Sequence, residues 1–206
     1  VVVGYGGAGA GTAITAHDLG AKVLILEKMQ EGEEGGNTRV SASLWLSPSE
    51  VPALLEYLRA LDPFEMLPER TREAFAEELI KNREWIEGIG AEIKESGNRV
   101  EYLEAPGTHS IKAYVHKYLG AESLWRLLKE NVEHRGITII YEAPAKKLIQ
   151  NDETGEIIGV LADNAGRSLR IKARRAVVLA CGGYEFNEEM LKNYSPAYPI
   201  YFFGTP

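Results

Sequence analysis

The chain has 206 residues, 45% of them hydrophobic and 26% charged, enough for one large domain with an ordinary buried core. A net charge of −7 with no basic stripe argues against a nucleic-acid partner, and no apolar run approaches the roughly 20 residues of a membrane-spanning helix. Cys181 is the one cysteine, which rules out an intrachain disulfide framework and a cysteine-rich metal site; no His/Cys/Asp/Glu spacing resembles a metal centre.

The chain opens on Val1-Val2-Val3-Gly4-Tyr5-Gly6-Gly7-Ala8-Gly9-Ala10-Gly11, a β-branched run leading into Gly-x-Gly-x-x-Gly. A helix is expected over residues 12–19 and a second strand over 22–26, ending at Glu27. Strand, glycine turn, helix, strand and acid in that order make a dinucleotide site. Gly4 allows the tight turn, Gly6 lets backbone approach the pyrophosphate, and Gly9 lets the helix pack closely on the strand. The helix N-terminus offers unpaired N–H groups to the phosphates, and Glu27 accepts from the adenosine ribose. The plain alternative is a strand-to-helix turn that happens to use glycines. The chain starts inside this motif without a Met and ends as abruptly at Phe203-Gly204-Thr205-Pro206, so it is expected to be a piece of a longer polypeptide.

A polar Gly-rich loop follows over residues 31–37. Ser47-Pro48-Ser49-Glu50 reads as a capping box opening a helix over 48–61, with Ser47 as cap and Pro48 at the first helical position. A second amphipathic helix is expected over 69–89, with Phe75, Leu79, Trp85 and Ile86 inward. Residues 98–118 lack periodicity. A helix over 121–135 and a buried strand over 137–141 come next. Three short strands, 145–150, 157–161 and 169–173, with turns at 152–155 and 163–166, form a β-meander. A last core strand, 176–180, runs into Cys181-Gly182-Gly183. The fold class is α/β: a Rossmann-like domain with a parallel sheet plus a three-stranded antiparallel meander. Nicotinamide domains alternate strand and helix without such a meander, whereas FAD domains commonly carry one.

His17 reads as a surface or helix-packing residue, and His134 as a favourable charge in the last turn of its helix. His109 and His116 fall in the aperiodic stretch, where substrate or flavin contacts are commonly found. Cys181 reads as a small buried residue beside the cofactor. Arg39 is either a cofactor contact or a solvated loop charge.

On these residues the chain resembles the FAD-binding domain of the fumarate reductase/succinate dehydrogenase flavoprotein superfamily, which includes soluble fumarate reductases and 3-ketosteroid dehydrogenases. Four segments carry the match: residues 1–11; Leu26-Glu27-Lys28 with Gly35-Gly36-Asn37-Thr38; residues 120–160; and residues 176–187. The resemblance implies that Gly4, Gly6 and Gly9 line the FAD pyrophosphate and that Glu27, followed by Lys28, holds the adenosine ribose. Gly36, Asn37 and Thr38 run beside the phosphates toward the flavin ring. Ala145 stands where backbone groups grip adenine, and Cys181, Gly182 and Gly183 close over the cofactor.

Two departures stand out. Ser41-Ala42-Ser43-Leu44 replaces the Gly-Gly pair that family members often carry near the flavin ring, so a glycine-only conformation is not expected there. Asn37 replaces the His that bonds flavin in the succinate dehydrogenase branch, which implies non-covalent FAD. Trp45-Leu46-Ser47-Pro48 resembles a Trp-x-Pro region of ketosteroid dehydrogenase-like members.

The whole of residues 1–206 is therefore expected to be an incomplete FAD-binding domain, without the capping domain and C-terminal segment that hold the family's catalytic residues. The expected function is that of a flavin-dependent oxidoreductase acting on a C–C bond beside a carbonyl or carboxylate. Its partners would be a small-molecule substrate and an electron-transfer partner. The alternatives are an NAD(P)-dependent dehydrogenase and a non-catalytic cofactor-binding or interaction module.

Overall fold

The computed structural model describes every residue except Asn98, Arg99, Ala121, Phe203 and Pro206. β1 (Val2–Val3) leads into α1 (Gly7–Asp18) and then β2 (Leu24–Leu26). α1 starts earlier than expected because the glycines themselves take helical backbone: the Ala10 N–H already donates to the Gly6 carbonyl at 2.9 Å. Its buried face is Gly9, Ala10, Ala13 and Ile14, mostly small side chains that allow close approach.

After the Gly-rich loop come α2 (Gly36–Val40), β3 (Leu44–Pro48) and α3 (Val51–Leu61). The expected capping box does not form. Ser47 and Pro48 end a strand, because the backbone here is committed to pairing: the Ser49 N–H donates to the Ser110 carbonyl at 2.8 Å. Glu50 takes the cap position without a side-chain bond, and the proline in the first turn is Pro52.

Two helices, α4 (Glu69–Leu79) and α5 (Asn82–Gly88), replace the single helix expected over 69–89. The buried face is also rotated. Arg72 and Ala76 lie inside, while Phe75 is 52% exposed. Arg72 sets that rotation: its guanidinium donates to Asp62 at 2.8 Å, to the Leu67 carbonyl at 3.3 Å and to Glu69. A buried guanidinium must keep its carboxylates, so the helix turns to bring them to it.

β4 (Ile93–Glu95) precedes the stretch expected to be irregular, and β5 (Ile111–His116) ends it; Asn98, where that stretch begins, lies outside the described residues. β5 is buried throughout except at Lys112, so no alternation marks it as a strand. α6 (Ser123–His134) realises the helix expected over 121–135, whose first residue, Ala121, lies outside the described residues.

The rest of the chain is β6 (Thr138–Ile140), β7 (Ala145–Gln150), β8 (Ile157–Asn164), β9 (Arg167–Lys172), β10 (Val178–Leu179) and α7 (Glu188–Tyr194). Asn187 caps α7 by accepting from the Met190 N–H at 3.0 Å.

Contacts divide the chain into two compact units, Val1–Ser41 with everything from Leu128 onward, and Ala42–Leu127. The first holds a parallel sheet of order β10-β1-β2-β6 and the antiparallel meander β7-β8-β9. Val3 and Leu26 of the sheet share one core with Ala143, Val160 and Ala162, so the meander packs on the sheet. β6 and β10, expected as buried strands, are the sheet's two edges, and Leu179 is 61% exposed. The second unit holds an antiparallel sheet of order β3-β5-β4 and a core of Leu54, Tyr57, Ala76, Val100 and Ile111.

Candidate cofactor-binding site

In the first unit a cleft of about 590 Å³ opens at the C-terminal ends of β1, β2 and β10, the place where open parallel sheets bind ligands. Gly4, Gly6, Glu27, Lys28, Gly36, Asn37, Thr38, Ala145, Cys181, Gly182 and Gly183 all line it. Gly9 does not; it is buried beneath the turn.

The three motif glycines differ in what requires them. Gly4 has a φ of +101°, and a Cβ there would fall 2.4 Å from the Ala180 carbonyl oxygen. A Cβ on Gly9 would fall 2.0 Å from the Gly4 carbonyl oxygen, so Gly9 packs on the turn itself. Gly6 is extended (φ −103°, ψ −163°), a conformation any residue adopts. The nearest atom to a Cβ on Gly6 is the Gly35 carbonyl oxygen at 3.4 Å, an ordinary contact. Nothing in the protein therefore requires glycine at position 6. What a side chain there would fill is the cleft.

Glu27 is 6% exposed. Its Oε2 accepts from the Tyr5 N–H at 2.7 Å and its Oε1 from the Met29 N–H at 2.8 Å. A carboxylate accepts about four hydrogen bonds, so capacity remains on the cleft side. The Glu27 N–H donates to Ile140 and its carbonyl accepts from Ala143. Two N–H groups thus fix the side chain, and the β6 end and the residues after it fix the backbone that carries it.

The Gly-rich loop forms the opposite wall. The Gly35 N–H donates to the Tyr5 carbonyl at 2.9 Å, and the Gly7 N–H donates to Thr38 Oγ1 at 3.1 Å. The N-terminus of α1 opens onto the cleft at Gly7 and Ala8 with the positive end of the helix dipole toward it. Glu34, in the same loop, is 1% exposed and does not line the cleft. Lys129 Nζ lies 2.5 Å from its Oε1, and the Gly32 N–H donates to its Oε2 at 2.6 Å. Burial pushes the Glu34 carboxyl up, but Lys129 and the N–H groups of Glu34 and Gly32 outweigh that and hold it below its ordinary value. The bond to Glu34 raises Lys129. Sequence reasoning missed this pair, because Glu34 stands beside the exposed Glu31 and Glu33 and nothing local distinguishes it.

Asn37 Oδ1 accepts from the Thr205 N–H at 2.9 Å, and its Nδ2 lies 3.4 Å from Glu185 Oε1. Tyr184, Glu185, Phe186, Asn187 and Thr205 line the cleft without having been marked in the sequence. Among the described residues that line the cleft, Lys28 is the one lysine or arginine, against Glu27, Glu33 and Glu185. Backbone N–H groups and the helix end, rather than a cationic cluster, are what this cleft offers a diphosphate.

Other candidates resolve differently. Cys181, expected to be buried, is exposed at the cleft because β10 is an edge strand; its Sγ lies 3.7 Å from the Val3 carbonyl oxygen. Arg39 turns back on its own loop, donating to the Gly32 carbonyl at 2.7 Å. His116 is buried at the end of β5, where its Nδ1 accepts from the Glu92 N–H, and His109 is exposed in the 3₁₀ turn Thr108–Ser110; both belong to the second unit. Ser43 adopts a left-handed conformation (φ +59°), uncommon for a serine but open to it, and is fully buried, with its Oγ accepting from the Leu124 N–H at 3.1 Å. That bond offsets the cost of a left-handed serine. Among the described residues, no cluster of three or more His, Cys, Asp or Glu could hold a metal, and no helix is long and apolar enough to cross a membrane.

A glycine turn whose second glycine serves only the cleft, an acid at the end of β2 and a second glycine pair facing them define a dinucleotide-binding α/β domain. The sequence model of the FAD binding domain family matches residues 1–202, and the chain belongs to that family. The chain is 29% identical over 216 residues to urocanate reductase of Eggerthella lenta, covering 95% of this chain and 33% of that protein. It is 28% identical over 213 residues to NADH:fumarate oxidoreductase of Klebsiella pneumoniae, covering 95% of this chain and 21% of that protein. The 3-ketosteroid-Δ4-(5α)-dehydrogenase of Rhodococcus jostii RHA1 shares the fold, with a TM-score of 0.79 at 22% identity over 95% of this chain and 48% of that one. The chain thus spans between a fifth and a third of the length of these two curated relatives. FAD is the cofactor of this domain.

Proposed function

We propose that this chain is the cofactor-binding part of an oxidoreductase that reduces or dehydrogenates a C–C bond next to a carbonyl or carboxylate. The observation that carries the placement of FAD is Gly6, whose missing side chain leaves space in the cleft and nowhere else. The related proteins point to the reaction class: fumarate and urocanate each carry a C=C bond conjugated to a carboxylate. FAD supplies the hydride chemistry when bound.

The chain's own residues bind and orient. Gly4, Gly6 and Gly9 with the α1 N-terminus would hold the pyrophosphate, and Glu27, next to Lys28, the adenosine ribose. The Ala145 backbone would meet adenine. Gly36, Asn37 and Thr38 would lead toward the flavin ring, with Cys181, Gly182 and Gly183 closing over the cofactor. Asn37 offers only a carboxamide, so FAD is held without a covalent bond. The groups that handle substrate belong, in this reading, to polypeptide outside this chain, as do contacts to an electron-transfer partner.

Purified full-length protein should carry FAD that is released into the supernatant on acid precipitation. Its reduced flavin should be reoxidised, without oxygen, by fumarate, urocanate or a 3-ketosteroid enone. Reoxidation by none of these would sink the reaction class and favour a non-catalytic module. Flavin content unchanged in Gly6→Val would sink the placement of the site.

A further inference from the structure

We infer that Glu34, held by Lys129, is a positioning residue for FAD: the pair sets the glycine loop at the distance from the β1 turn that the cofactor requires. The inference rests on the cleft being the FAD site. Glu34 is the most deeply buried charged side chain among the described residues, yet it sits in a surface loop. It directly precedes Gly35 and Gly36, both with positive φ (+107° and +50°). Two consecutive glycines have no side chain of their own to fix them, so the residues beside them must do it.

On one side Thr38 receives the Gly7 N–H. On the other, Glu34 reaches back to Lys129 on α6 and to the Gly32 N–H. Arg39 closes the loop on itself through the Gly32 carbonyl. The loop is thereby clamped between α6 and the glycine turn, and Glu33, Gly35, Gly36, Asn37 and Thr38 line the cleft from that clamp. Lys129 stays partly exposed, and an ion pair with a solvated partner contributes little net stability, so its use here is better explained by geometry than by stability.

The test uses apo full-length protein titrated with FAD. Glu34→Gln and Lys129→Met should each weaken FAD binding about tenfold or more, since each removes a charged hydrogen-bond partner. Lys129→Arg should keep nearly full affinity. Hydrogen exchange at Gly35 and Gly36 should quicken in both weakened variants while β1 and β2 stay protected. If Glu34→Gln does not fold, the contrast of Lys129→Met with Lys129→Arg carries the same test. FAD affinity equal to wild type in folded Glu34→Gln or Lys129→Met overturns the inference and leaves the cofactor site standing. Wild-type protein that takes up no FAD overturns both.

Discussion

The carbonyl oxygen of Gly4 stands 2.0 Å from the point where a side chain on Gly9 would begin. The turn after β1 and the first turn of α1 therefore share one space, and the Ala180 carbonyl fills the other side of Gly4. This junction is what brings the helix end to the cleft. A methyl group at position 9 must push backbone against backbone, because no flexible side chain can give way. Gly9→Ala should cost about 1–3 kcal/mol of stability as well as FAD. Gly6→Val, where extended backbone suits a β-branched residue, should cost FAD with little stability. Urea unfolding and flavin content of the two variants, measured together, separate the roles. Equal stability loss in both would contradict the division.

The glycine turn, Glu27, the Gly35 to Thr38 segment and the meander were readable because each is signalled by local residues with special backbone or capping chemistry. The sheet β3-β5-β4 was not, because β5 is covered on both faces and loses its alternation. Phe75 faces out because Arg72 needs its carboxylates, a demand set by Asp62, just beyond the end of α3. Glu34 looked like its exposed neighbours until Lys129, distant in sequence, supplied a partner. Thr205 reached the cleft through a contact with Asn37 that no spacing encodes. What the sequence left unread was set by long-range pairing.

The β8–β9 hairpin offers a local gain. Asn164 pairs with Arg167, leaving Ala165 and Gly166 as a two-residue loop with φ of +52° and +76°. Positive φ at both positions is the type I′ pattern, for which Asn-Gly is strongly preferred. Alanine is strained there. Ala165→Asn should raise stability by about 0.5–1 kcal/mol, read as a higher urea midpoint at unchanged slope. FAD affinity should not move, since Ala165 lies outside the cleft. A lower midpoint would mean that the loop is not of this type.

The Glu34–Lys129 pair has a pH signature with a definite sign. Glu34 is held below its ordinary value in the folded state, so it adds stability above its unfolded pKa of about 4.3. That stability is lost as pH falls through the lower folded value. Lys129 is raised, so its share is present below its unfolded pKa of about 10.4 and is lost as pH rises through the folded value. Other groups face the pair. Glu31 and Glu133 also favour the charged Lys129, while burial pushes the Tyr5 and Tyr141 hydroxyls up, keeping them protonated throughout. The stability difference between wild type and Glu34→Gln should therefore be flat across neutral pH and shrink as pH falls below about 4.3. Urea unfolding of both at neutral pH and at successive acid steps measures it. A difference that does not change with pH would mean that the Glu34 carboxylate is not the charged partner of Lys129.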